Sequence, residues 1–504
     1  MKIIVKRLIA ISLTSIMLLS VLTSCNASSG NQNNNNATTG NSNQTDPQNT
    51  AAQETTLLYP NLPAQDFGGY EFKFLTRTIK NPDWVEWDHR DLYAEKETGD
   101  VINDAVFARN KKIEDKYNIT ISETVVTDFT GTVRKMVKAG DDSYDVVCPH
   151  ISEFPPMAQE GDFLDLLQVP NVDLTKPWWS QGCLRDLSIL HKSYVMQGAL
   201  LIIDNDAMEA MIFNKTILKD NGLESPYDIV KRGDWTFDKL IEMSRTVSKD
   251  LNGDGKMYIL DDEFGCILQA DSGPSFIVSG GEKICSKDPT TDAPVVTYGS
   301  ERCYKITDAL AEMMADNDHF VHLHRYENKF PIYDEQVTMF SENRALFSWI
   351  RMRIVERLRG MDTDFGILPL PKLDSAQPNY ITNNNGPVGA GVAIPVTASN
   401  LDRTGTILED LSAESKYTLQ PAYYEINLRG KYARDDESQE MLDIILSNTA
   451  FDIGYIYDFG NFGDVVVNYG RSDKIPDFAS DFEKYQPKMQ AAIDKATAAY
   501  EKLS

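Results

Sequence analysis

The chain has 504 residues, 42% of them hydrophobic and 10% aromatic, which is material for more than one core at ~100–200 residues per domain. Its 49 Lys and Arg stand against 75 Asp and Glu, a formal net charge of −26. That balance argues against nucleic acid, whose phosphates need clustered cations, and against electrostatic docking on anionic lipid.

In chain order, the first segment is an address. Lys2, Lys6 and Arg7 precede the apolar run LIAISLTSIMLLSVL, which is short for a membrane span of ~20 residues. The run ends in Leu22-Thr23-Ser24-Cys25, which resembles the lipobox of bacterial lipoproteins. That resemblance implies a signal peptide over 1–24, lipidation at Cys25 and a protein held at the extracellular face of the cytoplasmic membrane through its lipid anchor only. The alternative is an ordinary secretory peptide with an incidental Cys. Residues 25–58, rich in Asn, Ser, Thr, Gln and Gly, have nothing to bury and read as a disordered polar tether. Of the remaining cysteines, Cys148, Cys183, Cys266, Cys285 and Cys303, at least one stays unpaired because five is odd. No metal-type Cys spacing is present, and the pairing stays open.

Tyr70–Arg77 alternates as a strand, and 103–117 has helical periodicity with Asn103 or Asp104 as N-cap. Strands are expected at 119–126 and 145–148, with a short helix at 132–138 between them. The alternation resumes with a strand at 210–213, helices at 236–248 and 303–315, a short strand near 364–372 and a terminal helix. Strand–helix–strand order of this kind predicts the α/β class with crossover helices.

Several segments carry a family likeness. Residues 143–167 (SYDVVCPHISEFPPMAQEGDFLDLL), Ile212-Phe213-Asn214-Lys215, Asp234-Trp235-Thr236-Phe237-Asp238, 340–347 (FSENRALF) and 364–372 together resemble the extracellular solute-binding lipoproteins of ABC importers, in the group binding maltodextrins and other oligosaccharides. The resemblance implies a two-lobed periplasmic-binding-protein-like fold of type II, its lobes joined by a hinge of crossover strands. Lobe 1 would hold 59–200 and 375–430, and lobe 2 would hold 201–374 and 431–504. It also implies a monomer that captures an oligosaccharide or other small solute by hinge closure and delivers it to ABC permease subunits.

Ligands of open α/β sheets lie at strand C-terminal ends, which draws attention to the loop after the first strand. That loop carries Trp84, Trp87 and Asp88; the two Trp either stack on sugar C–H faces or pin the loop to its own lobe. His150 and Ser152 follow the 145–148 strand, Asp204 and Asp206 precede the crossover into lobe 2, and Trp349 and Arg351 follow 345–347. Asn384 sits in a polar loop. Each has a plainer alternative: a cap for the acids, core packing for Trp349, a surface pair for Arg351, a turn for Asn384. Trp178-Trp179 reads as packing at the lobe junction.

Asp250, Asn252, Asp254, Gly255, Lys256 and Asp261 fit the start of an EF-hand-type loop, with oxygens at positions 1, 3 and 5, the position 7 carbonyl, and Asp where the full motif has Glu. A structural Ca²⁺ is the expected ligand, with Asp262 and Glu263 as helpers; an acidic turn without metal is the alternative. His319, His322 and His324 lack the partners of a tetrahedral site and read as structural. No catalytic residue is assigned and the chain reads as a binder. The rivals are a secreted glycoside hydrolase with paired carboxylates, a surface glycan scaffold uncoupled to import, and a peptide or other solute as ligand.

Overall fold

The computed structural model describes residues 57–78, 87–424 and 436–503. The chain divides into Met1–Leu57 and the compact unit Leu58–Ser504; the lipobox, Cys25, nearly all of the tether and Trp84 lie outside the described residues.

The first lobe is built on β1 (Tyr70–Arg77), which pairs in parallel with β2 (Ile119–Val126) over its whole length and with β3 (Val146–Val147) on its other side. Phe72, Phe74 and Leu75 of β1 are wholly buried. The sheet continues through single bridges, Val147 to Ala393 and Met196 to Val392, both antiparallel. The chain segment around 390–393 has therefore returned from the second lobe to lie beside β3.

Helix Val101–Tyr117 packs on β2 and on helix Leu401–Tyr417. It starts earlier than its periodicity suggested: Asp100 is the N-cap and accepts the Asn103 amide at 3.0 Å. Asp104 is occupied elsewhere, accepting the amides of Thr98 and Gly99. An Asp that can reach the N3 amide satisfies one of the helix's orphan donors, and Asp100 is the one so placed.

The second lobe is a five-stranded sheet of β4 (Glu209–Asn214), β5 (Phe264–Leu268), β8 (Phe320–His322), β9 (Ala345–Arg351) and β10 (Phe365–Leu368), in the order β10-β4-β9-β5-β8. A small hairpin, β6 (Cys285–Lys287) with β7 (Pro294–Val296), lies apart from it. β5 runs parallel to β8 and β9, whereas β4 is antiparallel to both its neighbours. Every residue of β4, β5, β9 and β10 is buried, as a sheet covered on both faces requires. Met211 and Phe213 join one core with Trp235, Phe237 and Phe347, while Ala210 and Ile212 join another with Met339, Phe340 and Ile350. The period-two alternation of a strand divides its residues between the two cores.

The chain passes from the first sheet to the second between β3 and β4, returns beside β3 near 390, and is back on the second sheet at helix Asp436–Ser447, which packs on β10. β11 (Thr382–Asn383), on the way back to the first lobe, pairs in parallel with β12 (Thr449–Ala450). Trp178 and Trp179 are buried, and Trp179 Nε1 donates to Glu409 at 2.9 Å. Among the described residues the cysteines, Cys148, Cys183, Cys266, Cys285 and Cys303, are all free and buried, as packing thiols are.

Candidate ligand-binding site

The C-terminal ends of β1 and β3 present one set of polar side chains and those of β5 and β9 another, with the hinge between them. At the lobe 1 edge, Arg77 ends β1 and pairs with Glu153. Thr78 donates to Asp88 at 2.7 Å. His150 is buried with its Nδ1 2.8 Å from the Pro387 carbonyl; a carbonyl only accepts, so Nδ1 holds the proton. Burial, with Arg77 adding to it, pushes the His150 pKa down to about 3. Ser152 is half-buried, its amide donating to Gly386. Trp87 is buried against Ala207 and Val388, at the hinge.

At the lobe 2 edge, Arg351 closes β9 opposite Glu209, the first residue of β4. Arg351 pairs with Asp271, which follows β5, and also reaches Gln269. Its guanidinium carbon lies 5.3 Å from the Trp349 ring centroid, within cation–π range. Trp349 is wholly buried in the strand. Glu209 is also wholly buried, and its two oxygens accept from Asn383 at 2.8 Å and Asn385 at 2.9 Å. Desolvation outweighs these bonds and raises the Glu209 pKa to about 7. Asn384 turns the other way and donates to the Asp204 carbonyl at 2.9 Å. A Cβ on Gly389 would lie 2.7 Å from Asn384 Oδ1, so glycine there leaves the amide its place.

One charged ring joins these parts. Arg90 of the lobe 1 loop lies 2.9 Å from Asp206 and 3.0 Å from Glu356; Arg353 lies 3.4 Å from Asp206 and 3.1 Å from Glu356. Asp206 belongs to the short hinge helix Ile203–Asp206, and also accepts from Tyr423 at 2.9 Å. Asp204 of the same turn is buried, and desolvation raises its pKa.

Of the residues singled out by sequence, the structure brings Trp87, Asp88, His150 and Ser152 to the lobe 1 edge, Asp204, Asp206 and Asn384 to the hinge, and Trp349 and Arg351 to lobe 2. Arg351 is a buried ion pair with Asp271, not a surface one, because the strand end that carries it is covered on both faces. His89 and Arg90 fall inside the candidate loop without being singled out, and Arg77, Asp91, Glu153, Glu209 and Asp271 are not identified as site residues by the sequence. Arg90 and Asp271 carry a local signal, since each is a charge directly beyond a strand or its loop; Glu209 carries none.

A set of polar atoms at these edges is buried without a hydrogen-bond partner: His89 Nε2, His150 Nε2 and Glu153 Oε2 in lobe 1, and Trp349 Nε1, Arg351 Nε and Asn385 Oδ1 in lobe 2 and the hinge. Buried polar atoms are nearly always paired; atoms in the same condition also lie elsewhere in the fold, among them Ser244 Oγ, Tyr298 Oη and Arg403 Nε. A cavity of about 540 Å³ lined by Ser180, Arg185, Lys283, Gln377 and Asn448 is a different feature, and none of these residues lines it.

The Asp250 loop is folded as successive turns. Asp250 accepts the amides of Gly253 and Gly255 at 2.6 and 2.7 Å, Asn252 that of Asp254 at 2.9 Å, and Asp254 that of Lys256 at 2.9 Å. The donors suit calcium in kind, being hard oxygens. Asp262 spends both oxygens on the amides of Leu251 and Tyr258, and Glu263 pairs with Lys249, so neither is free to help. Among the described residues no three acidic, His or Cys side chains converge as a metal-holding group. His322 Nε2 donates to the Met313 carbonyl at 3.1 Å and His324 Nδ1 accepts the Ala270 amide at 3.0 Å, both structural uses. Among the described residues no helix is long and apolar enough to cross a membrane.

No family model matches the chain, and no curated protein matches it. Solved structures do. The chain is similar to the galacto-N-biose/lacto-N-biose I-binding protein of an ABC transporter from Bifidobacterium longum, solved with lacto-N-biose: TM-score 0.56 and 12% identity, covering 86% of this chain and 99% of that one. It is similar to a sugar transporter protein from Rhizobium etli in an open conformation, with TM-score 0.53 and 11% identity over 86% and 100% of the two chains. It is also similar to an ABC substrate-binding protein from Listeria monocytogenes in complex with cycloalternan, with TM-score 0.51 and 11% identity over 86% and 99%. At such identities the likeness is one of architecture: this chain has the two-lobed α/β fold of the solute-binding proteins of ABC transporters.

Proposed function

We propose that this protein is the solute-binding component of an ABC importer, capturing an oligosaccharide between its lobes by hinge closure. The observation that carries the reading is the two-lobed fold together with unpartnered buried polar atoms at the strand ends of both sheets. Such atoms match the hydroxyls of a saccharide, which donate and accept at once. The structural neighbours support it, because those solved with ligand hold lacto-N-biose or cycloalternan and are named as binding proteins.

Cys25 would carry the lipid, with the polar segment as tether, leaving the globule close to the permease subunits. A thermal-shift panel of oligosaccharides, followed by calorimetry, tests the core of this reading, since a ligand selective for the folded state raises the melting temperature. A specific saccharide is expected to do so without being cleaved. A shift by peptides alone would remove the carbohydrate assignment, and chromatographic products would convert the protein into a hydrolase.

For the Asp250–Asp261 loop we propose calcium, on its donor types. Melting is expected to rise on adding Ca²⁺ to EDTA-treated protein, and Asp250→Ala should abolish that rise. Equal melting with EDTA and with Ca²⁺ would leave the loop an acidic turn.

A further inference from the structure

The loop after β1 contains a side chain whose bonding is half complete. The His89 side chain is 1% exposed, and its Nδ1 lies 2.8 Å from Asp91 Oδ1. Asp91 is wholly buried, and its second oxygen accepts the amides of Ile202 at 2.7 Å and Ile203 at 3.1 Å, at the crossover into lobe 2. Burial alone would raise the Asp91 pKa, but His89 and the two amides hold it below the ordinary carboxylate range. The carboxylate therefore only accepts, and Nδ1 carries a proton. Although burial works against it, Asp91, with Glu123 and Asp88 behind it, raises the His89 pKa, which favours the ring form whose Nε2 is also a donor. That Nε2 is buried without a partner.

An unmade buried hydrogen bond of this sort costs ~1–3 kcal/mol, so a polar partner for Nε2 is favourable. His150 Nε2 and Glu153 Oε2 share the condition. These residues are neighbours: His150 feels the charges of Arg77 and His89, and Arg77 pairs with Glu153. Their side chains do not converge as a metal-holding group. Because Nδ1–H already fixes the His150 tautomer, its Nε2 accepts, as does Glu153 Oε2. The group that suits such a set is a hydroxyl.

We propose that His89 is a ligand contact whose Nε2 meets a hydroxyl of the bound saccharide, and that Asp91 is the positioning residue tying this contact to the crossover backbone at Ile202–Ile203. The inference rests on the solute-binding reading and deepens it. One carboxylate holds both the contact and the strand entry that must move on closure, so capture and hinge geometry share a group.

The two amide analogues of histidine separate a binding role from a structural one. His89→Asn keeps a donor toward Asp91 and has nothing at the Nε2 position; His89→Gln reaches the Nε2 position and gives up the bond to Asp91. Calorimetry with lacto-N-biose, cycloalternan and maltotriose on the full chain is expected to show His89→Asn melting close to wild type while its affinity falls about tenfold or more, ~1.4 kcal/mol. His89→Gln should show the opposite order, a lower melting temperature with affinity better kept. Nitrogen-15 spectra of His89 should report a proton held on Nδ1 in wild type and a mixture of ring tautomers in Asp91→Asn. Wild-type affinity in His89→Asn would overturn the contact, and an unchanged tautomer in Asp91→Asn would overturn the positioning role. Binding of none of these saccharides by wild type would overturn the saccharide reading and this inference with it.

Discussion

Asp271→Ala is expected to destabilise the protein by about 3–5 kcal/mol, the usual cost of leaving one member of a buried ion pair alone. Arg351 is 4% exposed and sits against the Trp349 ring, with Asp271 as its anionic partner and Gln269 at 3.3 Å and Tyr333 as further contacts. Once Asp271 is removed, the guanidinium keeps Gln269 and Tyr333 and has the Glu209 carboxylate nearby, but loses its direct anionic partner in a buried place. Urea unfolding reads the loss directly. Arg351→Met in the same background should recover a large part of it, because the pair together costs less to replace than to break. If Asp271→Ala stays within about 1 kcal/mol of wild type, in the range of exposed pairs, the site is open enough for solvent to stand in and the buried-pair account fails.

The second large effect is set by pH. His322 is 2% exposed in β8, and burial, with Arg325 second, lowers its pKa to about 3. In the unfolded chain an imidazole titrates near ~6.5. Below that value the unfolded chain binds a proton that the folded protein refuses, so the stability contributed by neutral His322 is lost as pH falls from about 6.5 toward about 3, at ~1.4 kcal/mol per pH unit. His150 and His324, lowered to about 3 and about 4, act in the same direction. Glu209, raised to about 7, acts in the opposite one: it gains a proton in the fold first and so favours the folded state on acidification. A single variant isolates the histidine part. His322→Leu should be less stable than wild type near neutrality by about 1 kcal/mol, for the lost bond to Met313. By about pH 4.5 the order should reverse, because wild type alone has lost about 3 kcal/mol there. Urea unfolding of both proteins across this range checks it, and a stability gap that does not change with pH would count against neutral His322.

The strands and helices were largely legible because their signal is local. β1 was read at its observed bounds, and the helices at 237–247 and 301–315 within two residues, since alternation and capping residues are written in consecutive side chains. The N-cap of the first long helix was misread because three acidic or amide side chains compete for it within five residues, and only the backbone path past Gly99 (φ +82) decides which reaches the amide. The likeness to two-lobed solute-binding proteins was also accessible, as an ordered set of short segments along the chain.

The site was legible only in outline. Strand-end logic pointed to the loop after β1 and to the end of β9, yet the partners that give those positions their chemistry come from distant sequence: Asp271 for Arg351, Asn383 and Asn385 for Glu209, Asp206 and Glu356 for Arg90. Those pairings join strand ends and segments far apart along the chain, and no local pattern encodes them.

By itself the sequence determined that this is an acidic α/β protein, that its first 58 residues read as address and tether, and where most strands and helices lie. Those properties follow from composition and from periodicities of two and 3.6 residues. The tertiary structure alone decided which charges are buried and which polar atoms are left unpaired. It also decided that Asp91 joins a strand-end imidazole to the hinge, because burial and pairing are properties of segments brought together from far along the chain.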